Sequence, residues 1–542
     1  MKLFFCGKND SPDFASRLLF PALLTLLFVV INGIGASHHE CWRDEMQAWL
    51  IARDTPDLSA MLEQEHYEGH PPVWYLLLRT VTLVTHQPEA MQLLTMVLAA
   101  VTVFLFCYYA PFSRILKILF VCNYYLLFEY GIVCRIYLPG ILLLSVACIL
   151  YPSARERPWP FALSLLMAAF TSIHCLIVAV AMAAAFLGSW LLPSLRGAQK
   201  QEAAAAPFRL LPWLAFAIGV GLAAYSMFPR PDALPVNGYG WNFAWDAESL
   251  AKVLFAFWWA YFPLPRPDGY FWIPPWCMPV WSSDNYLVYA SLAAIFGGMV
   301  FFLRRHISAL LFYLVGTLGL LAFFYFKYLG FIRHIGFLFF TFLFALWMKK
   351  AGSASGSGRS SLWMERGAEI VLGAMLATQA VTGLWAVRED YYNPFSCGKQ
   401  AAEFIIEHHL QDKFIAVGAD WAGAPLAGYL DRSLYYPNAR RYGSFTRFDT
   451  QREDISDEEF LRRATEEAKG AEMVISLDHL FSEEFMRLNK IELLASLQGS
   501  LTPFESYFLF FVPRQRGFTP GARQENANQR LNPPTPASSP AE

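Results

Sequence analysis

The stretch RLLFPALLTLLFVVINGIGA, residues 17–36, followed at once by SHHECWRDE, residues 37–45, decides the fold of this chain. The first part is long and apolar enough to cross the hydrocarbon core of a bilayer as a helix. It is longer than the apolar segment of a typical signal peptide, and no clear small-residue cleavage site follows it. It therefore predicts an uncleaved first span, which places Asp44 and Glu45 at a membrane surface.

The composition predicts a membrane protein over the whole length of the chain. The 542 residues are 56% hydrophobic and 16% aromatic, with a mean hydropathy of +0.33. A soluble chain is nearer to about 45–50% apolar. Long apolar runs separated by short basic loops are typical of a mainly α, polytopic membrane protein. The net charge of −2 gives no sign of nucleic-acid binding, and the nine cysteines form no metal-binding pattern.

About eleven transmembrane helices are predicted from the apolar runs. They cover residues 18–36, 91–110, 117–134, 136–151, 159–173, 175–192, 210–228, 284–303, 308–326, 331–348 and 363–388. The basic clusters between these runs fall on one side of the membrane only if the run Val73–Val84 does not span. We therefore predict that Val73–Val84 is an interfacial helix and that the N-terminus is cytoplasmic.

This topology predicts three domains or segments. Residues 1–390 form a transmembrane domain with two outer loops, 37–90 and 229–283. Residues 391–515 form a small extracytoplasmic α/β domain, because strand-like and helix-like patterns alternate there and no nucleotide-binding motif is present. The strand-like patterns are Phe414–Val417, Met473–Leu477 and Tyr507–Val512, and the helical ones include Lys399–Leu410 and a capping box at Ser456 and Glu459. The polar, proline-rich tail 516–542 is predicted to be disordered.

The carboxylates of Asp44 and Glu45 are the first candidates for chemistry. One of them is predicted to accept a proton from an acceptor hydroxyl or amine at the membrane surface, which a carboxylate within hydrogen-bond reach can do. The alternative is that both are solvated residues at the start of a helix near Met46, where carboxylates are favoured.

A second polar cluster follows in the same loop, in the sequence Glu68-Gly69-His70-Pro71-Pro72. Glu68 and His70 are candidates for substrate binding, with His70 near a phosphate. The alternative is a turn with incidental polar residues, because the two prolines fix an extended entry into the next helix.

Cations at the outer ends of spans form the third group, at Arg135, Lys327 and Arg333. Charges at such positions are costly unless they are paired or used. They are predicted to hold a phosphate leaving group, to which arginine donates two hydrogen bonds and lysine presents a point charge. The alternatives are an ion pair between Arg135 and Glu129, or side chains that extend to lipid headgroups. His174, between two spans, is interpreted as structural or interfacial rather than catalytic.

In order and topology these motifs resemble the GT-C superfamily of membrane glycosyltransferases. The likeness covers about residues 18–390 and is greatest to the protein O-mannosyltransferases and the lipid A aminoarabinose and galacturonic acid transferases. It is carried by Trp42-Arg43-Asp44-Glu45, by Glu68 to Tyr75, by Arg135-Ile136-Tyr137 and by Lys327 to His334. The resemblance implies that Asp44 is the base with Glu45 beside it, and that Glu68, His70, Arg135, Tyr137, Lys327, Arg333 and His334 contact the substrate.

The reaction implied by the resemblance is an inverting displacement that moves a sugar from a polyprenyl-phosphate donor to a lipid, polysaccharide or protein outside. No cofactor is predicted, because Trp258-Trp259-Ala260-Tyr261 lacks the acidic residue of metal-dependent relatives, although the acid-rich loop leaves a divalent metal as an alternative. The expected location is a bacterial inner membrane. The rival functions are a transporter or flippase of lipid-linked saccharides, which would predict inverted repeats, and a non-catalytic scaffold.

Overall fold

A computed structural model describes most of the chain. The described residues are 14–191, 208–234, 240–265, 272, 286–351, 359–418, 420–502 and 505–514. The predicted disordered tail, 516–542, and parts of the predicted outer loop 229–283 lie outside them.

A bundle of fifteen helices occupies the described part of the first 392 residues. The helices are α1 Phe14–Ala36, α2 Arg43–Asp54, α3 Leu58–Glu68, α4 Val73–Thr82, α5 Glu89–Tyr109, α6 Arg114–Val121, α7 Tyr137–Leu150, α8 Pro158–Ala169, α9 Ile173–Leu191, α10 Leu210–Ser226, α11 Ala247–Tyr261, α12 Tyr286–Leu303, α13 Ile307–Phe326, α14 Ile332–Ala351 and α15 Arg359–Tyr392. Within the described residues, six helices are long and apolar enough to cross a membrane and four shorter apolar ones accompany them. These ten correspond to ten of the eleven predicted spans, and the chain is an integral membrane protein.

The remaining predicted span, over residues 117–134, is wrong. Helix α6 ends at Val121, and a π-helical turn follows over Tyr125–Glu129. Polar side chains explain the break: the Asn123 carboxamide accepts a hydrogen bond from the Leu126 amide and donates one to Gln379. An apolar run therefore ends in a bend because a buried asparagine satisfies the backbone there in place of helical hydrogen bonds.

Three short helices, α2, α3 and α4, lie between the spans α1 and α5. Helix α4 has ten residues, so it is about 15 Å long and too short to span, as predicted for Val73–Val84. It packs against α2, and Arg79 joins the two by donating to the Ala52 and Thr55 carbonyls at 2.7 and 2.8 Å. These helices form a platform at one end of the bundle.

Helix α14 is the centre of the bundle. Every residue from Ile332 to Lys349 is buried, and the helix packs against α7, α9, α11 and α13. A helix that is apolar all round is expected to be enclosed by others. Its first turn carries Arg333 and His334 to the end of the bundle at which the platform of α2, α3 and α4 lies. Helix α11 was not predicted, and it buries Trp259 and Tyr261 in this packing.

The C-terminal region is an α/β domain with one mixed sheet. Its elements are α16 Gly398–Glu407, β1 Phe414–Val417, α17 Asp420–Tyr429, β2 Leu434–Tyr436, β3 Arg441–Gly443, α18 Asp457–Glu467, β4 Met473–Leu477, α19 Glu483–Asn489, β5 Glu492–Leu497 and β6 Tyr507–Val512. The strand order is β3-β2-β1-β4-β6-β5, with β1 parallel to β2 and β4 and the other pairs antiparallel. The three predicted strands and the cap at Ser456 are confirmed. Helix α17 packs on α2, so this domain supports the platform.

Candidate active site

Asp44 lies in the first turn of α2 and faces two arginines from other parts of the chain. Its Oδ2 is 3.4 Å from Arg135 Nη2 and 3.3 Å from Arg333 Nη2. Arg135 also donates to the Asp44 carbonyl at 2.6 Å. The Asp44 side chain is 29% exposed, whereas the two arginine side chains are buried. The structure therefore brings together three predicted site residues, and Arg135 pairs with Asp44 rather than with Glu129.

The two arginines hold Asp44 in its ionised form. Burial by itself raises the pKa of Asp44, but the charges of Arg135, Arg333 and Arg43 outweigh it and leave that pKa below its usual value. An opposite charge at such a distance favours the ionised carboxylate. Asp44 is therefore an anion over the physiological pH range.

Aromatic rings fix the position of Arg333. Its guanidinium carbon lies 5.3 Å from the ring centre of Trp42, 5.2 Å from that of Trp272 and 4.8 Å from that of Phe331. Such stacking is favoured for the planar guanidinium group. The side chain of Arg333 is therefore preorganised before any ligand binds.

Both arginines keep hydrogen-bond donors without a partner in the described part of the chain. Arg135 Nε, Arg333 Nε and Arg333 Nη1 are buried and bind no protein acceptor there. Buried donors are normally satisfied, so unpartnered ones need an explanation. A pair of buried guanidinium groups with spare donors fits an anion such as a phosphate.

A cavity of about 230 Å³ adjoins this pair. The residues that follow the arginines, Ile136 and His334, are part of its wall. Its lining also includes Glu68, Gly69, His70, Tyr137, Ser172, Ile173, His174, Phe323, Lys327 and Tyr328. Five predicted substrate contacts thus share one cavity, namely Glu68, His70, Tyr137, Lys327 and His334. The volume is near the lower end of small-ligand sites, about 300 Å³.

His70 reaches the cavity because the residue that ends α3 has a left-handed backbone conformation. Gly69 caps the helix at φ +66°, a conformation that glycine adopts without a steric cost. The His70 ring lies 3.2 Å from the Tyr75 hydroxyl. Burial and the nearby charge of Arg135 lower the pKa of His70 to about 3. His70 is therefore neutral, and it can meet a phosphate as a hydrogen-bond donor but not as a cation.

Glu68 is held by the C-terminal domain through one glutamine. Gln47 donates to Glu68 at 2.9 Å, and it also exchanges hydrogen bonds with the Thr446 backbone. Burial raises the pKa of Glu68 to about 7, against the lowering effect of the bond from Gln47. The side chain therefore changes its charge near neutral pH, which only a few carboxyl groups do.

Tyr137 and His334 form a hydrogen-bonded pair in the cavity wall. His334 Nδ1 accepts from the Phe331 amide at 2.8 Å, so its proton is assigned to Nε2, which lies 2.8 Å from the Tyr137 oxygen. The Tyr137 hydroxyl hydrogen is then available to another acceptor. Gly330 permits this arrangement, because a Cβ there would lie 2.2 Å from His334 Nδ1.

His174 was interpreted from the sequence as structural or interfacial, yet it lines the cavity. Its ring stacks with His334 at 5.1 Å and with Phe337 at 5.3 Å between centres. Within the described residues, neither of its nitrogens has a hydrogen-bond partner. A lone histidine at a span end carries no sequence signal for this role, because only the packing of α9 beside α14 brings it to the site.

The structure does not bring Glu45 to the cavity. Its side chain is fully buried and bonds to His39 Nε2 at 3.0 Å, to the Trp42 amide at 3.0 Å and to the Cys134 amide. The other nitrogen of His39 lies 2.9 Å from Asp390 of α15. Glu45 thus caps the start of α2, as the alternative proposed, but it is buried and ties the helix to two other segments, whereas the alternative expected it to be solvated.

No metal site is apparent in the part of the chain that the structure describes. No group of three His, Cys, Asp or Glu side chains there has a geometry that could hold a metal ion. The positive charge at the site comes from Arg135 and Arg333 beside the cavity and from Lys327 in its lining, and it suits an anion better than a cation. The absence of a cofactor remains a prediction.

No protein-family model and no curated protein sequence matches this chain. Among solved structures, ArnT from Cupriavidus metallidurans in the apo state is similar, with a TM-score of 0.50 and 12% identity over 92% of this chain and 98% of that chain. This chain therefore shares the overall fold of that ArnT structure. ArnT from the same organism bound to undecaprenyl phosphate matches with a TM-score of 0.47 and 11% identity over the same shares. The likeness to the apo structure confirms the predicted mainly α, polytopic fold, and at 12% identity it shows the fold alone.

Proposed function

We propose that this protein is a GT-C glycosyltransferase that moves a sugar from a polyprenyl-phosphate donor to a lipid, polysaccharide or protein acceptor. One observation carries the proposal. Arg135 and Arg333 keep buried, unpartnered donors beside the ionised Asp44, at the edge of a cavity that Lys327 also lines. A carboxylate next to an anion site is the pair of groups that such a transfer requires.

The donor phosphate binds between the two arginines and Lys327 in this proposal. Arg333 can donate to phosphate oxygens from Nε and Nη1 and Arg135 from Nε, and lysine adds a point charge. The sugar occupies the cavity, where the Tyr137 hydroxyl and the neutral His70 donate to its oxygens. The cations stabilise the transition state more than the bound donor, because negative charge develops on the phosphate oxygen as its bond to the sugar breaks.

Asp44 accepts the proton of the acceptor. The acceptor oxygen forms a bond to the anomeric carbon, its proton passes to Asp44, and the electron pair of the broken bond leaves on the lipid phosphate. Attack opposite the leaving group inverts the anomeric carbon. A phosphate that takes over the arginine donors weakens the positive field at Asp44, so donor binding raises its pKa and makes it a better base.

The site faces the extracytoplasmic side of a bacterial inner membrane in this proposal. The support is the distribution of arginine and lysine, which places the N-terminus in the cytoplasm if α4 does not span. The C-terminal domain then lies on the same side as the site, which agrees with its contacts to α2.

The experiment that tests the function is transfer by the purified, reconstituted wild-type protein. Radiolabelled sugars on polyprenyl phosphate are supplied with membrane lipid, polysaccharide and protein fractions, and label is followed into each. Label should enter one fraction from a polyprenyl-phosphate donor and not from the matching nucleotide sugar. Movement of intact lipid-linked sugar across the vesicle, with no transfer from any donor, would instead make the protein a flippase.

A pH dependence of donor use is expected from Glu68. With its pKa near 7, Glu68 is protonated below neutrality and becomes a carboxylate above it, beside the proposed phosphate position. A phosphodiester keeps its negative charge throughout, so the ionised Glu68 repels it. The value of kcat/KM for the donor should therefore fall as pH rises through about 7, and Glu68→Gln should abolish that fall.

The neighbouring Glu63, which is exposed on the same helix, supplies the control. Glu63→Gln should leave the profile as in the wild type. The opposite result would be a wild-type kcat/KM that falls as the pH drops below 7, with no such fall in Glu68→Gln. It would show that the ionised Glu68 promotes the reaction.

A further inference from the structure

A second cavity, of about 300 Å³, lies where α1 ends, α5 begins and the C-terminal domain meets the bundle. It shares no lining residue with the cavity that contains Lys327. Helix α1 ends at Ala36 and α5 starts at Glu89, and both are long enough to span. The cavity is therefore at the level where the hydrocarbon of a bilayer gives way to the headgroups.

One half of this cavity is apolar and lies between the two spans α1 and α5. Gly33 of α1 has no side chain, which leaves a depression opposite Met96 of α5. A Cβ at this position would lie 3.8 Å from the Met96 sulfur. Leu93, on the next turn towards the domain, lines the cavity and is 58% exposed. A groove between two spans with an exposed leucine is suited to an acyl chain.

The other half carries two opposite charges. Lys399 of α16 and Glu89 of α5 both line the cavity. Over the described residues, neither is within ion-pair distance of an opposite charge. The Lys399 ammonium lies 6.0 Å from the ring centre of Tyr429, and the Tyr429 hydroxyl accepts from the Cys41 amide at 2.9 Å. The cavity thus presents a cation and an anion to one ligand at headgroup depth.

We propose that this cavity binds a phospholipid whose headgroup carries both a phosphate and a primary ammonium, as phosphoethanolamine does. Lys399 pairs with the phosphate, Glu89 accepts hydrogen bonds from the ammonium, and one acyl chain lies in the groove between α1 and α5. A purely anionic headgroup would leave Glu89 opposite a negative charge. A choline headgroup has no N–H to donate to Glu89.

Binding of defined lipids to the full, delipidated protein in detergent tests this proposal. Phosphatidylethanolamine, phosphatidylglycerol and phosphatidylcholine with the same chains are added separately, and retained lipid is counted by native mass spectrometry. The wild type should retain phosphatidylethanolamine best. Lys399→Gln should weaken this binding about tenfold, the effect of losing one charge-assisted hydrogen bond. Glu89→Gln should abolish the preference over phosphatidylcholine.

Two further variants separate lipid binding from folding. Gly33→Leu fills the groove without a change of charge and should reduce retention of phosphatidylethanolamine, whereas Glu403→Gln, on the exposed face of α16, should leave retention unchanged. Melting temperatures confirm that each variant is folded. Equal retention of the three lipids by the wild type, a preference for phosphatidylglycerol, or unaltered binding in both Lys399→Gln and Gly33→Leu would overturn the proposal.

Discussion

Asp44→Asn should reduce the rate of sugar transfer by about 10²- to 10⁴-fold, the range that a positioned general base contributes. The amide has the same shape as the carboxylate but cannot accept the proton of the acceptor at neutral pH. It also lacks the charge that Arg135 and Arg333 now face at 3.4 and 3.3 Å. The lipid phosphate should therefore bind at least as tightly as in the wild type, so kcat should fall while KM for the donor does not rise.

The measurement is the initial rate of transfer over a range of donor concentrations in reconstituted protein. Asp57→Asn is the matched control, because Asp57 caps α3 through the Ala60 amide at 2.8 Å and asparagine caps helices equally well. It should retain wild-type rates. If Asp44→Asn transferred sugar at the wild-type rate, Asp44 would be only a partner for the arginines and the proposed base would have to be another group.

His39→Ala should destabilise the protein by about 3–5 kcal/mol, the usual effect of removing one partner from a buried ion pair. The His39 ring lies between Glu45 and Asp390 at 3.0 and 2.9 Å, and none of these three side chains is exposed. The substitution leaves two carboxylates buried without their shared cation. The free energy of unfolding in detergent, measured by denaturant titration, should fall accordingly.

The same ion pairs make the stability depend on pH. Burial lowers the pKa of His39, but the charges of Asp390 and Glu45 outweigh it and raise that pKa well above its usual value. A raised histidine pKa stabilises the folded state fully below the unfolded pKa, and this contribution is lost as pH rises through the folded pKa. The free energy of unfolding of the wild type should therefore fall as the pH rises through the pKa of His39 in the folded protein, and that of His39→Ala should not.

Two controls separate the lost ion pair from a general effect of histidine substitution. His86→Ala, at a side chain that is 64% exposed, should leave the stability unchanged. Adding Glu45→Gln and Asp390→Asn to His39→Ala removes the unpaired charges and should restore part of the lost stability. If His39→Ala alone were as stable as the wild type, the three side chains would not form a charged network in the folded protein.

Most of the bundle was predictable from the sequence. Ten spans and the short α4 follow from the length of apolar runs, because a helix must be long enough to cross the hydrocarbon core. The span predicted over 117–134 was wrong, since mean hydropathy does not register that a single Asn123 ends the helix. Helix α11 was missed because its aromatic residues are equally typical of a membrane interface.

The site was predictable by residue type and only partly by role. Glu68, His70, Tyr137, Lys327 and His334 share one cavity, as cations and polar groups at span ends indicated. The adjacent Asp44 and Glu45 could not be told apart in the sequence. Successive residues on a helix point in different directions, so Asp44 faces the arginines while Glu45 is buried against His39, after the end of α1, and the segment at Cys134.

The sequence by itself determined that the chain is a polytopic membrane protein with an α/β domain and a carboxylate at the start of its first surface helix. These properties depend on local apolar length and periodicity. Only the tertiary structure decided that Asp44 meets Arg135 and Arg333, and that His174 enters the cavity. Such contacts join residues up to 289 positions apart, and they depend on how α2, α9 and α14 pack, which no local pattern encodes.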